Sequence, residues 1–242
     1  MDLSIIIPAH NEESTISGPL FIDSVRWMRR RFPAMELIIV DDGSTDGTSE
    51  AAALVADQVL QQSHNGKGAA LCNGILHANG ECVVWADADW SVPVTEIPKL
   101  LEAIHSGADY VMGSRGWARP ESPLFRWIGS CLYTIACRQA FDWEFTDTQC
   151  GMKAARLKSL QSMTQELQYF GMNIRQEFPS TDALFDVECL LVARKIGLQV
   201  SVIPVTWKHF RNRSSQDYLP LLRRISRDFG KVRDSYQSGL YY

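Results

Sequence analysis

Asp87 and Asp89, in the run Trp85-Ala86-Asp87-Ala88-Asp89-Trp90-Ser91, are the pair in this chain best suited to chemistry. Like charges this close repel, and the repulsion grows as the effective dielectric of a cleft falls. Such a pair is poor structural chemistry but good divalent-cation chemistry. Mg2+ and Mn2+ favour carboxylate oxygen, and Mg2+ commonly takes one or two carboxylates plus substrate phosphates. An Asp-x-Asp alone says little, because many solvated loops contain one. Here it follows Cys82-Val83-Val84-Trp85-Ala86, an apolar, β-prone run that reads as a buried strand ending in the two carboxylates.

Two other strands end the same way. Leu3-Ser4-Ile5-Ile6-Ile7 runs into Pro8-Ala9-His10-Asn11-Glu12-Glu13, and Glu36-Leu37-Ile38-Ile39-Val40 into Asp41-Asp42-Gly43-Ser44-Thr45-Asp46. Helical patterns follow each. In open α/β sheets the ligand crevice lies outside the carboxyl ends of the parallel strands, so these three loops converge on one crevice. The strand candidates are 3–7, 36–41, 57–61, 81–87, 109–113 and 198–204. Helical patterns occupy 12–31, 46–56, 67–79, 95–106, 124–141 and 186–196. Alternating strands and helices predict an α/β fold, Rossmann-like, with a mostly parallel sheet flanked by helices in a single domain.

The loops also carry a resemblance. Ile5 to Glu13, Ile39 to Thr48 and Asp87-Ala88-Asp89, in this order, look like a family 2 glycosyltransferase with the GT-A fold. Asp147-Thr148-Gln149-Cys150-Gly151-Met152-Lys153 and Phe185-Asp186-Val187-Glu188 are similar to the dolichyl-phosphate β-glucosyltransferase branch, near the dolichol-phosphate mannose synthases. The resemblance covers roughly residues 3–214. The pattern of elements changes after Arg115, which divides the domain into a nucleotide-sugar half, 1–115, and an acceptor half, 116–214.

The resemblance implies roles. Pro8, Ala9, Glu12 and Asp42 match nucleoside-binding positions, and Asp87 and Ala88 lie toward the donor's sugar or ribose. Asp89 would hold Mg2+ or Mn2+, joined by Ser91, where related mannose synthases often carry glutamine. Arg115 matches a phosphate-contacting arginine, since its planar fork suits phosphate oxygens. Arg126 matches an acceptor-region position, with snorkelling at a helix edge as its bland alternative. Asp147 is the acceptor-side acid. Asp186 and Glu188, two apart on a helix, face different ways, so at most one reaches the cleft; Glu188 equally suits a surface or capping charge. Arg211 and Arg213 are the better candidates for a basic lid over the diphosphate.

The implied activity is inverting transfer of a hexose from a nucleoside diphosphate sugar, UDP-glucose before GDP-mannose, to a polyprenyl phosphate. A soluble acceptor is a second reading, and a non-catalytic nucleotide-sugar binding module a third.

Composition sets the boundaries. The chain has 242 residues and a formal net charge of −4, so no global basic field calls for nucleic acid. No run approaches the ~20 apolar residues of a membrane span, and the first apolar run is already a strand rather than a signal peptide. The six cysteines lack zinc spacing and read as buried free thiols, consistent with a reducing cytoplasm. Gly66-Lys67-Gly68 lacks the residues of a P-loop or a dinucleotide fingerprint. It reads as a tight turn opening a helix, with Lys67 either solvated or near a phosphate.

Residues 215–242 read as an amphipathic basic helix. Leu222, Ile225, Phe229, Val232 and Tyr236 form its apolar stripe, and seven basic residues lie between Arg211 and the end. The pattern suits peripheral contact with an anionic membrane, or packing on the helix's own domain or on a second subunit of a homo-oligomer.

Overall fold

A computed structural model describes residues 2–116, 124–169, 182–208 and 218–242, apart from the side chains at 124–126, 182–183 and 218–224. Its centre is a seven-stranded sheet. In chain order the strands are β1 (Leu3–Ala9), β2 (Met35–Asp42), β3 (Gln58–Gln62), β4 (Cys82–Trp85), β5 (Tyr110–Ser114), β6 (Lys153–Arg156) and β7 (Val200–Pro204). Across the sheet they run β3-β2-β1-β4-β6-β5-β7. All pairings are parallel except those of β6, which is antiparallel to both β4 and β5.

The central strands are apolar on both faces, as a sheet covered on both sides requires. Alternate residues serve opposite layers. Ile6, Ile38, Val40, Val83, Trp85 and Tyr110 look one way, and Ile5, Ile7, Leu37, Ile39, Val84 and Val111 the other. The first layer is closed by α4 (Lys67–His77), α7 (Leu157–Glu166) and α8 (Asp182–Lys195), the second by α2 (Pro19–Arg31) and α5 (Ile97–His105). Leu100, Leu101 and Ile104 turn the apolar stripe of α5 inward.

The predicted helix over 12–31 is two helices. The short α1 (Glu13–Ile16) stops at Ser17, and α2 starts afresh with Pro19 in its first turn. Proline suits that position because its missing N–H would have had no partner there. A short α3 (Thr48–Ala53) follows β2.

The C-terminal helix α9 (Tyr218–Gln237) packs on its own domain. Phe229 and Tyr236 each meet Phe141 of α6 (Leu124–Phe141) edge-on at 5.5 Å, and Val232 is fully buried. Of the described stripe, Phe229, Val232 and Tyr236 join the core, and Ile225 is half-buried. Arg227 and Arg233 pair with their neighbours Asp228 and Asp234. Among the described residues no helix is long and apolar enough to cross a membrane.

Candidate functional site

The carboxyl ends of β1, β2, β4 and β5 lie along one edge of the sheet. The reversal of β6 brings its amino-terminal end, Lys153, to that edge, level with Trp85 on one side and Met112 on the other. The loop 147–152 thus opens onto the same crevice as the loops that precede helices.

The Asp-x-Asp turn is anchored by a tryptophan. Trp90 is 2% exposed and sits at φ 49°, a left-handed conformation that a bulky side chain rarely adopts. With its ring drawn into the core beside Phe21, the flanking Asp89 and Ser91 stay half-buried at the crevice. Asp89 Oδ1 accepts both the Ser91 amide, at 2.9 Å, and the Ser91 hydroxyl, at 2.7 Å. Its Oδ2 has no hydrogen-bond partner among the described residues. Asp87 is paired with the Lys67 ammonium. Its cleft environment opposes its charge, but Lys67, Lys153 and Arg115 outweigh that and hold its pKa below the usual carboxylate range.

Asp42 makes a different use of its charge. Oδ1 accepts from Gln62 Nε2 at 2.7 Å and the Asn65 amide at 2.9 Å. Oδ2 accepts from the Gly66 amide at 2.8 Å and lies 2.8 Å from His64 Nδ1. The carboxylate thus organises the turn that starts α4, where Gly66 takes φ 91°. This matches the expected tight turn, and it delivers Lys67 to Asp87 rather than to solvent. His64 stacks on His10 with centroids 4.1 Å apart. The β1 and β2 loops are also tied together, with Asn11 Oδ1 accepting the Thr45 amide at 2.8 Å and the Glu12 amide donating to Thr48 Oγ1 at 2.8 Å. Pro8 and Ala9 close β1 at the same edge.

On the side where the acceptor is expected, Arg115 and Asp147 form one unit. Arg115 gives Nε to Asp147 Oδ2 at 2.9 Å, Nη2 to Oδ1 at 2.6 Å and its own amide to Oδ2 at 2.7 Å. Asp147 is 3% exposed, and the pair lies beside Trp207, whose ring centroid is 5.8 Å from the guanidinium carbon. The chain after β7 reaches the Asp-x-Asp turn through the Lys208 amide, 2.8 Å from the Ser91 carbonyl. Arg126 stands in the first turn of α6, its side chain outside the described atoms, and Arg211 and Arg213 lie outside the described residues.

Of the two acids on α8, Asp186 faces the site and Glu188 does not. Glu188 is fully buried, neither a surface charge nor a helix cap. It accepts the amides of Gln168 at 2.6 Å and Tyr169 at 3.1 Å and the Tyr241 hydroxyl at 2.9 Å. It ties the chain after α7 and the C-terminal turn to α8.

Sequence reasoning passed over Lys153, His10, His64 and Gly151. A Cβ on Gly151 would overlap Asp87 Oδ2 and stand 2.9 Å from its Cγ, so the Gly151 backbone forms the floor under Asp87. Lys67, expected to be solvated or near a phosphate, is ion-paired with Asp87.

A divalent cation fits this donor set. Among the described residues there is no cluster of three or more His, Cys, Asp or Glu side chains for a metal. One outward carboxylate oxygen, Asp89 Oδ2, completed by substrate phosphates is the pattern Mg2+ commonly uses. The Ser91 hydroxyl, spent on Asp89, acts through that carboxylate.

Residues 4–164 match the model of Glycosyl transferase family 2. The chain belongs to that family. It is 30% identical to a dolichyl-phosphate beta-glucosyltransferase of Trichomonas vaginalis, over 85% of this chain and 65% of that protein. It is 27% identical to the dolichyl-phosphate beta-glucosyltransferase of Saccharomyces cerevisiae, over 99% of this chain and 76% of that one. The chain thus spans about two thirds to three quarters of the length of these relatives. Its fold is similar to glucosyl-3-phosphoglycerate synthase from Mycobacterium tuberculosis in complex with Mn2+, UDP and phosphoglyceric acid. The TM-score is 0.66 at 21% identity, covering 90% of this chain and 73% of that one. The expected GT-A fold is borne out, as are membership of family 2 and the expectation of a glycosyltransferase.

Proposed function

We propose that the protein transfers glucose from UDP-glucose to a polyprenyl phosphate with inversion, using Mg2+ or Mn2+, as a peripheral enzyme at a cytoplasmic membrane face. The observation that carries this reading is the meeting of Asp87, Asp89 and the Arg115–Asp147 unit on one sheet edge. The names of the relatives support the lipid acceptor and glucose.

Pro8, Ala9, Glu12 and Asp42 frame the nucleoside, with Asp42 acting through the turn it organises. Asp87 orients the donor's ribose or sugar. Asp89, held in one rotamer by Ser91, keeps an oxygen for the cation. A bound cation would neutralise charge on the departing diphosphate and orient it. An oxygen of the acceptor phosphate attacks the anomeric carbon, and the bond from that carbon to the diphosphate breaks, its electron pair leaving with the diphosphate. The acceptor is already an anion, so Asp147 need not remove a proton. Its pair with the Nε and Nη2 of Arg115 fixes the guanidinium beside the incoming phosphate, leaving Nη1 to meet it, and that positive charge offsets the repulsion between two anions. Arg126, Arg211 and Arg213 supply further positive charge to the phosphates.

The test is transfer of radiolabelled glucose from UDP-glucose into an extractable lipid with Mn2+ and a short polyprenyl phosphate. Label in lipid, competed by UDP and not by GDP, is expected. Transfer only from GDP-mannose would replace the donor, and transfer only to a soluble phosphate would replace the acceptor.

A further inference from the structure

Lys153 is 1% exposed at the start of β6, an uncommon place for an ammonium. Its Nζ lies 2.9 Å from Asp186 Oδ1 and donates to the Cys150 carbonyl at 2.6 Å. Asp186 is itself 8% exposed. A buried ion pair is weak evidence for stability, because two well-packed apolar side chains of similar volume often serve as well or better. What this pair touches is therefore more informative than its being a pair. Cys150 belongs to the loop that begins with Asp147, and the next residue, Gly151, is the surface on which Asp87 rests. The Lys153 charge also favours the ionised form of Asp87. One cation thus connects α8, the loop bearing the acceptor-side acid and the donor-side carboxylate.

We infer that Lys153 and Asp186 are positioning residues for transfer: Lys153 fixes the 147–151 loop and the seat of Asp87 relative to each other, and Asp186 holds Lys153 in place. This rests on the reading of Asp87 as a donor-binding residue. The pair touches neither donor nor acceptor. Its effect is to keep the two halves of the site in register, so that the acceptor-side acid and the donor move as one body.

The test replaces both charges together, Lys153→Met with Asp186→Leu, so that no buried charge is stranded. Thermal melting, UDP affinity by calorimetry with Mn2+, and kcat and KM for transfer from UDP-glucose are measured on the full chain. A positioning role predicts wild-type melting with a loss of at least tenfold in kcat and a severalfold rise in donor KM. A double variant with wild-type kcat and KM would overturn the inference and leave the pair a packing element. Should the double variant fail to fold, Asp186→Asn, which keeps a hydrogen-bond acceptor for Lys153, is judged by the same two constants. Wild-type protein that fails to bind UDP with Mn2+ would refute the underlying reading of the site. Wild-type protein that binds UDP beside an unimpaired variant refutes this inference alone.

Discussion

Gly151→Ala tests the geometry of the site with one methyl group. The added Cβ would stand 2.9 Å from Asp87 Cγ, whereas ordinary carbon–carbon contact is about 3.5–4.0 Å. Gly151 sits in the loop fixed by Asp147–Arg115 on one side and Lys153 on the other, so the backbone has little room to withdraw. The side chain of Asp87 must yield, by about 1 Å. A misplacement of that size in an organised site costs about 100-fold in rate, equivalent to about 2.7 kcal/mol of barrier. Folding should survive, because the displaced atoms are the end of a side chain and the Lys67 ammonium can follow them. The assay is kcat/KM for sugar transfer beside the melting temperature of the same preparation. A variant that keeps wild-type kcat/KM would refute the claim that Asp87 acts from its seat on Gly151. So would a variant whose activity falls only in step with its folded fraction.

Asp89→Ala should nearly abolish transfer while leaving the fold intact, and EDTA should do the same to the wild type; full activity in EDTA refutes the cation's role. Glu188→Gln should destabilise by about 1–3 kcal/mol, because the amides and hydroxyl around it lose a charged acceptor. At this chain length that lowers Tm by about 2–4 °C per kcal/mol, and UDP affinity below the transition should be unchanged; a selective loss of affinity would move Glu188 into the site. Burial, together with the nearby Asp147, pushes the Cys150 thiol up to about 11, so at pH 8 only about one thiol in a thousand is ionised. Iodoacetamide at pH 8 should therefore spare activity, and rapid inactivation traced to Cys150 by peptide mapping would contradict its burial.

The donor side of the site was legible because its residues obey local rules. Apolar runs ended in Asp-rich loops, and the parallel sheet carried all of those ends to one edge. The acceptor side was less so. β6 is Lys-Ala-Ala-Arg, a sequence of low strand propensity that becomes a strand because β4 and β5 flank it. Without β6 the sequence gives no reason to bury Lys153. The resemblance made Asp42 a nucleoside contact, but nothing local announced that Gln62, His64, Asn65 and Gly66, about twenty residues on, would gather around its carboxylate. Glu188 shows the same limit, since its partners at 168, 169 and 241 are distant in sequence. The break between α1 and α2 was written in Gly18-Pro19, and the helical period across it concealed the break.

The placement of β6 also bears on assembly. The block β3-β2-β1-β4 is built entirely from residues 3–85 and can pair as soon as that stretch leaves the ribosome. One edge of that block is β4, four buried residues whose outer hydrogen-bonding groups are met by residues 153–156. Until those arrive, a growing or refolding chain presents an apolar strand edge, the kind of surface that pairs with another copy. β5 and β7 cannot join the sheet without the same four residues between them and β4. Dilution during refolding should therefore raise the yield, by favouring β6 docking over collision of two half-made sheets.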